Sequence, residues 1–69
     1  MKAGARNQLR GKVTEIKKGD IMAQVKFTIT SGGTMASVLT VESLDEMDLK
    51  PGDEVTLLVK AIHVLPVKD

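Results

Sequence analysis

Apolar and polar side chains alternate strictly between Ile21 and Thr30, where every second residue is apolar. The apolar positions of this segment are Ile21, Ala23, Val25, Phe27 and Ile29. A period of two is typical of a β-strand that buries one face and leaves the other largely polar. The alternation therefore predicts a strand over residues 21–30.

Less regular patterns on either side of this segment predict two neighbouring strands. Apolar residues recur between Leu9 and Ile16, which predicts a first strand that ends in a turn at residues 17–20. Residues 31–34 contain two successive glycines, which permit the positive φ angles of a hairpin turn. The chain is therefore expected to return as a third strand over residues 35–41.

The period of two breaks after the third strand. Ser43 is followed three residues later by Glu46, the spacing of a capping box, and this predicts a short helical turn. Residues 50–53 include a Pro-Gly pair that ends the helix in a turn. Residues 54–65 then predict a long closing strand with two apolar faces, which is either central in the sheet or pressed against another subunit.

The order of the predicted elements is two strands, a hairpin to a third, a helical turn and a closing strand. In so short a chain this order favours an all-β fold, a small OB-like β-barrel of about five strands with one short helical turn. Closure into a barrel removes strand edges that would otherwise be exposed. A single domain over residues 1–69 is expected.

The composition narrows the means by which such a small fold is stabilised. A domain of 69 residues buries little apolar surface, and without cysteine it has neither disulfides nor a thiolate metal site. A single histidine does not make a zinc site. Hydrophobic residues nevertheless make up 42% of the chain, which is enough for a folded core. Association into an oligomer is therefore the expected route to stability.

The net charge of +1 conceals two oppositely charged segments. Residues 1–18 carry a net charge of +5, and residues 40–54 carry a net charge of −5. These segments are either solvated faces of opposite sign or surfaces through which neighbouring subunits meet.

Three parts of the chain carry groups suited to an anion. Residues 3–9 set the guanidinium of Arg6 among residues too small to shield backbone N–H groups, although a floppy tail with an incidental Arg has the same sequence. Lys60 lies between apolar residues of the predicted closing strand, so it either reaches water at the barrel rim or finds a negative partner. Thr40 and Ser43 add hydroxyl groups beside a helix start, where they either cap the helix or bind an anion.

Catalysis is not expected from this sequence. There is no cysteine nucleophile, and the only histidine, His63, falls on the face of the predicted closing strand opposite Lys60. Carboxylates cluster between residues 42 and 48, where they fit a helix N-terminal charge bias and a solvated face. No residue is therefore assigned a catalytic role.

Several short motifs are spaced along nearly the whole chain. They are Ala5-Arg6-Asn7-Gln8-Leu9, Gly11-Lys12-Val13, Thr40-Val41-Glu42-Ser43, Leu49, Pro51-Gly52-Asp53-Glu54-Val55 and Val59-Lys60-Ala61. Together they closely resemble the molbindin (Mop) family of small molybdate-binding proteins.

The resemblance implies an OB-like barrel that assembles into a hexamer, a trimer of dimers, and binds molybdate or tungstate at subunit interfaces for cytoplasmic storage or molybdenum homeostasis. The residues it implies as oxyanion ligands, by side chain or backbone, are Gly4, Ala5, Arg6, Asn7, Thr40, Ser43, Lys60 and Ala61. Many relatives have a serine where this chain has Gly4, so here only a backbone N–H is available. The metal would be bound as its oxyanion, with no direct protein ligand and no organic cofactor, although an association with pterin stays open.

The backbone N–H groups, Lys60 and Arg6 of this set offer donors only, which suits a fully deprotonated tetrahedral dianion. Every oxygen of molybdate accepts hydrogen bonds, whereas phosphate retains a proton near neutral pH and needs an acceptor from the protein. A donor-only pocket disfavours phosphate by about 1–3 kcal/mol, the cost of an unsatisfied buried O–H. Sulfate lacks that proton and differs from molybdate in its smaller size.

Two other classes of function compete with this interpretation. OB barrels often bind nucleic acid, but Phe27 is the only aromatic residue and lies on the apolar strand face, so the stacking platform is missing and no nucleic-acid partner is expected. The chain could also be a structural oligomerisation module, or a regulatory domain resembling the accessory domains of molybdate transport ATPases. No signal peptide or membrane-spanning run is evident, which predicts a cytoplasmic protein without a membrane partner.

Overall fold

The computed structural model of the protein describes residues 7–68, which form a four-stranded antiparallel sheet and two short helical segments. The elements are β1 (Asn7–Lys18), β2 (Met22–Ile29), β3 (Thr34–Thr40), α1 (Val41–Met47), β4 (Glu54–Val59) and a 3-10 turn (Ala61–His63). The strand order is β3-β2-β1-β4, and the sheet curls into a half-barrel. The prediction of an all-β, OB-like fold is confirmed, with four strands among the described residues in place of about five.

Strand β2 follows the alternation of its sequence and supplies most of the core. Its inward residues Ala23, Val25, Phe27 and Ile29 are all buried. Ile21, predicted as the first member of this set, is 73% exposed. The chain turns before Met22, where the Gly19 N–H donates to the Met22 carbonyl over 2.8 Å, so Ile21 lies in the turn and not in the strand.

Strand β1 is the long strand that connects the two halves of the sheet. It pairs with β2 through Gly11–Lys18 and with β4 through Asn7–Lys12, so the segment around Gly11 has a partner on each side. A Cβ atom at Gly11 would lie 3.2 Å from the Thr28 carbonyl oxygen. The absence of a side chain therefore lets three strands approach closely at this position.

The hairpin between β2 and β3 forms as its glycines predict. Gly32 and Gly33 have φ angles of 114° and 92°, which L residues with side chains rarely adopt. Strand β3 begins at Thr34 and ends at Thr40, one residue before the predicted end, because Val41 already belongs to α1.

Helix α1 is held on the sheet by Leu44, which is 2% exposed and packs in the core with the inward residues of β2. The predicted N-cap, Ser43, is wrong by three residues. Thr40 is the N-cap, with an extended backbone and a side-chain oxygen that accepts from the Ser43 N–H. The capping interaction spans the same three-residue spacing, but it starts one turn earlier than the sequence indicated.

The predicted closing strand over residues 54–65 is only half formed. Strand β4 ends at Val59, and the chain turns at Lys60 into the 3-10 turn, where the His63 N–H donates to the Lys60 carbonyl over 2.9 Å. The predicted alternation of faces therefore stops at Val59, and it does not place Lys60 and His63 on opposite sides. Strand β4 lies at an edge of the sheet and not at its centre.

The part of the chain that is described contains no helix long and apolar enough to cross a membrane.

Candidate functional site

The predicted oxyanion ligands fall into three groups. Gly4, Ala5 and Arg6 lie outside the described residues. The other five lie at two separate places in the fold. Thr40 and Ser43 are at the start of α1, whereas Asn7, Lys60 and Ala61 are where β1 begins and β4 ends.

At the start of α1, two hydroxyl groups lie side by side because of the helix cap. The Thr40 Oγ1 accepts from the Ser43 N–H over 3.1 Å and donates to the Ser43 Oγ over 2.9 Å. The cap thus fixes the rotamers of both side chains without any ligand. Ser43 keeps its own hydroxyl hydrogen for a further acceptor, which makes this pair a preformed donor group.

The surroundings of this pair are acidic. Thr40 lines an open cleft of about 680 Å³, which we call the helix-start cleft. Its lining residues are Asp20, Ile21, Thr40, Val41, Glu42, Asp45 and Glu46. The cleft is far larger than a four-oxygen anion, and its carboxylates would repel one. Among residues 7–68, no cation lines this cleft to offset that repulsion.

The second group of predicted ligands borders a different cleft, of about 490 Å³, which we call the strand-end cleft. Its lining residues are Asn7, Gln8, Leu9, Met35, Val59 and Val64. Asn7 pairs with Val59 across the β1–β4 ladder, so Lys60 and Ala61 follow directly at the end of that pairing. The register of β1 and β4 therefore brings a carboxamide, an ammonium group and the Ala61 main chain to one corner of the sheet.

Lys60 is exposed, and among residues 7–68 it forms no ion pair. As the N-cap of the 3-10 turn it projects from the end of the sheet, outside any apolar strand face. Of the two interpretations of Lys60 from the sequence, an ammonium group that reaches water fits the structure of this chain. Its charge is free to meet an anion because no carboxylate of the described part of the chain neutralises it.

The two groups of ligands are too far apart to hold one ion within a single chain. Met35 lines the strand-end cleft, and Thr40 lies five residues further along β3. At about 3.4 Å per residue, this places the Cα of Thr40 about 17 Å from that of Met35. Hydrogen bonds to one oxyanion reach only about 2.7–3.2 Å from each oxygen. One ion bound by both groups would therefore have to lie between two chains.

The oppositely charged segments of the sequence meet within this chain. The Lys18 Nζ lies 2.9 Å from the Asp45 Oδ1, and the Arg10 Nη2 lies 3.8 Å from the Glu54 Oε2. All four side chains are more than half exposed, so each pair contributes at most about 1 kcal/mol. Both pairs form within one chain. The contact between subunits that the charge pattern suggested therefore stays a prediction.

Sequence reasoning missed the acidic character of the helix-start cleft. The count of six carboxylates in residues 40–54 contained that signal, but their alignment along one cleft with Asp20 depends on the turn before β2. Within residues 7–68 there is no group of three or more His, Cys, Asp or Glu side chains that could hold a metal ion.

The chain is similar to known proteins over nearly its whole length. Residues 4–66 match the model of the TOBE domain family. Molybdenum-pterin-binding protein 1 of Clostridium pasteurianum is 40% identical over 65 residues, which cover 94% of this chain and 96% of that protein. The names of these relatives describe binding and not catalysis.

Solved structures are similar over the same length. A molybdate-binding protein from Sporomusa ovata superposes with a TM-score of 0.91 at 40% identity, covering 99% of this chain and all of that one. The cytoplasmic molybdate-binding protein ModG, solved with molybdate bound, has a TM-score of 0.84 at 39% identity. This match covers 88% of the present chain and 43% of ModG.

Proposed function

Since this chain belongs to the TOBE domain family and is a homologue of the Mop proteins, we propose that it binds molybdate or tungstate at the interfaces between subunits of an oligomer. The proposed ligands are those that the sequence suggested, namely Gly4, Ala5, Arg6, Asn7, Thr40, Ser43, Lys60 and Ala61. The observation that carries the proposal is that the described ligands lie at two separate places in the fold of a chain whose homologues bind molybdate.

The separation of the two ligand groups supports a site between chains. The helix-start cleft offers hydroxyl donors but surrounds them with carboxylates. Next to Val59 of the strand-end cleft, Lys60 carries an ammonium group that forms no ion pair among residues 7–68. Placing the strand-end cleft of one subunit against the helix-start cleft of another would supply the missing positive charge. Binding would then require the assembled protein, which links ligand affinity to assembly.

The chemistry of the proposed ligands supports an unprotonated oxyanion. Lys60, the amide of Asn7, backbone N–H groups and the Ser43 hydroxyl can all donate hydrogen bonds to oxygen. Hydrogen phosphate would bring an O–H that needs an acceptor, which Lys60 and the backbone N–H groups do not offer. A tetrahedral dianion without a proton fits this set of donors better.

The surface of the described chain supports association. Ile62, Leu65 and Val67 are each at least 80% exposed, and they follow one another closely after β4. Strands β3 and β4 both lie at open edges of the half-barrel. Exposed apolar side chains beside unpaired strand edges are usually covered by another chain. We propose that a hexamer built as a trimer of dimers provides this cover.

A role in cytoplasmic storage or homeostasis of the oxyanion completes the proposal. The cytoplasmic molybdate-binding relative ModG supports it. The nucleic-acid alternative has no support in the fold. Phe27, the only aromatic residue, is 5% exposed and cannot stack on bases.

Calorimetric titration tests this proposal directly. We expect molybdate and tungstate to bind, with phosphate at least tenfold weaker. At a molybdate concentration 100 times the Kd, binding stabilises the folded state by about 2.7 kcal/mol, which raises Tm by several degrees. The Lys60→Met variant should keep the Tm of the ion-free protein and lose most of the molybdate-induced shift in Tm. Lys68→Met, which removes another exposed cation, should keep that shift. An equal shift in parent and Lys60→Met would contradict the placement of the site.

A further inference from the structure

We propose that His63 is a further ligand of the oxyanion, acting as a hydrogen-bond donor beside Lys60. This inference rests on the proposed function, because it adds a residue to the same site. It arises from the backbone at the end of β4, which the alternation of the sequence did not predict.

Lys60 and His63 occupy two particular positions of the 3-10 turn. Lys60 is the N-cap, with an extended backbone at φ −65° and ψ 137°, and His63 is the third residue after it. The His63 N–H donates to the Lys60 carbonyl over 2.9 Å, which closes the turn. This hydrogen bond brings the backbones of the two residues together across one turn.

The molecule contains a second pair in the same two positions. Thr40 is the N-cap of α1 and Ser43 is the third residue after it, and there the two side-chain oxygens are 2.9 Å apart. The N-cap and the third helical position thus bring two polar side chains together in this fold. By the same spacing, we expect the imidazole of His63 to lie beside the side chain of Lys60.

Both pairs contribute to the proposed oxyanion site. Three of their four members, Thr40, Ser43 and Lys60, are proposed ligands from the motifs of the sequence. The fourth is His63, which is exposed and therefore free to reach a ligand. An imidazole ring carries at least one N–H at any pH, so His63 can donate to an anion in both of its charge states. An oxyanion held at Lys60 would thus receive a second side-chain donor from the same turn.

The test compares molybdate titrations of the parent, His63→Leu and His63→Gln. Leucine removes every donor at a similar size, whereas glutamine keeps N–H donors at a similar reach. Loss of one hydrogen bond to a charged group corresponds to a tenfold or larger rise in Kd. We therefore expect the Kd of His63→Leu to rise about tenfold and that of His63→Gln to stay within about threefold of the parent.

Two controls separate this inference from the proposed function. His63 is exposed, so the Tm of ion-free His63→Leu should match that of the parent. Lys68→Met removes a nearby cation and should leave the Kd unchanged. If the parent and Lys68→Met bind and Lys60→Met does not, but His63→Leu binds within threefold of the parent, the role of His63 is overturned and the site stands. If the parent itself binds no oxyanion, the proposed function fails first.

Discussion

A site that draws its two halves from different chains can be rebuilt from two inactive variants. The first variant is Ser43→Glu, which adds a carboxylate at the start of α1. Glutamate is favoured at this third helical position, so the helix should persist. The added charge repels each unit of anion charge by about 4 kcal/mol at 4 Å and an effective dielectric constant of 20. The second variant is Lys60→Met, which removes the ammonium group from the other half.

The expected recovery follows from the geometry of the chain. Met35 of the strand-end cleft and Thr40 are separated by about 17 Å along β3. Under the proposed function, each complete site therefore takes one corner, a strand-end cleft or a helix start, from each of two subunits. In an oligomer assembled at random from equal amounts of the two variants, one interface in about four joins two intact corners. The mixture should therefore bind about one quarter as much molybdate per chain as the parent, with the Kd of the parent.

The assay is co-expression of the two variants with different affinity tags, followed by sequential purification and calorimetric titration. Sequential purification retains only oligomers that contain both chains, so the observed capacity comes from mixed assemblies. The control replaces Lys60→Met with the double variant Ser43→Glu/Lys60→Met. No interface in this second mixture has an intact helix start, and it should bind nothing.

Two results would refute the reasoning. Zero recovery in mixed oligomers would mean that the two corners do not meet across an interface. Partial binding by each variant alone, with half of the parent capacity, would mean that the two corners form separate and independent sites.

Two further predictions concern the stability of the ion-free protein at a fixed chain concentration, measured by chemical denaturation. Leu44 is 2% exposed. The Leu44→Ala variant should lower the free energy of unfolding by about 2–5 kcal/mol, because it leaves a cavity where α1 packs on the sheet. Met47→Ala is the matched control, since Met47 is 57% exposed and its truncation should cost far less; similar losses in both would argue against Leu44 as the anchor of α1. Thr40→Val should lower the free energy of unfolding by about 1 kcal/mol through the lost helix cap, whereas Ser43→Ala keeps the Ser43 N–H that the cap binds and should cost less. The reverse order would place the cap at Ser43, as the sequence alone suggested.

Local patterns predicted the parts of the fold that depend on nearby residues. The alternation in β2 identified the buried face formed by Ala23, Val25 and Phe27, because a strand that covers a core needs an apolar side chain at every second position. The pair Gly32 and Gly33 located the hairpin because positive φ angles depend on the residue itself. The resemblance of the motifs likewise identified the family before the fold was known.

The same local patterns were wrong where the outcome depends on pairing between distant segments. Apolar residues continue from Val59 to Leu65, yet β4 ends at Val59, which pairs with Asn7 at the described start of β1. A strand persists only where a ladder of hydrogen bonds is available, and periodicity carries no information on that ladder. The N-cap moved from Ser43 to Thr40 for a related reason, since the Val41 N–H donates to the Ile21 carbonyl in the turn before β2.

The sequence by itself determined the types of group available for an anion, because the donors of Lys60, Thr40 and Ser43 are properties of the residues. Only the tertiary structure decided that these groups lie at two separate places in the fold and that His63 shares a turn with Lys60. The physical reason is that hydrogen-bonding chemistry belongs to each side chain, whereas the distance between side chains is set by strand register and by the point at which each strand ends.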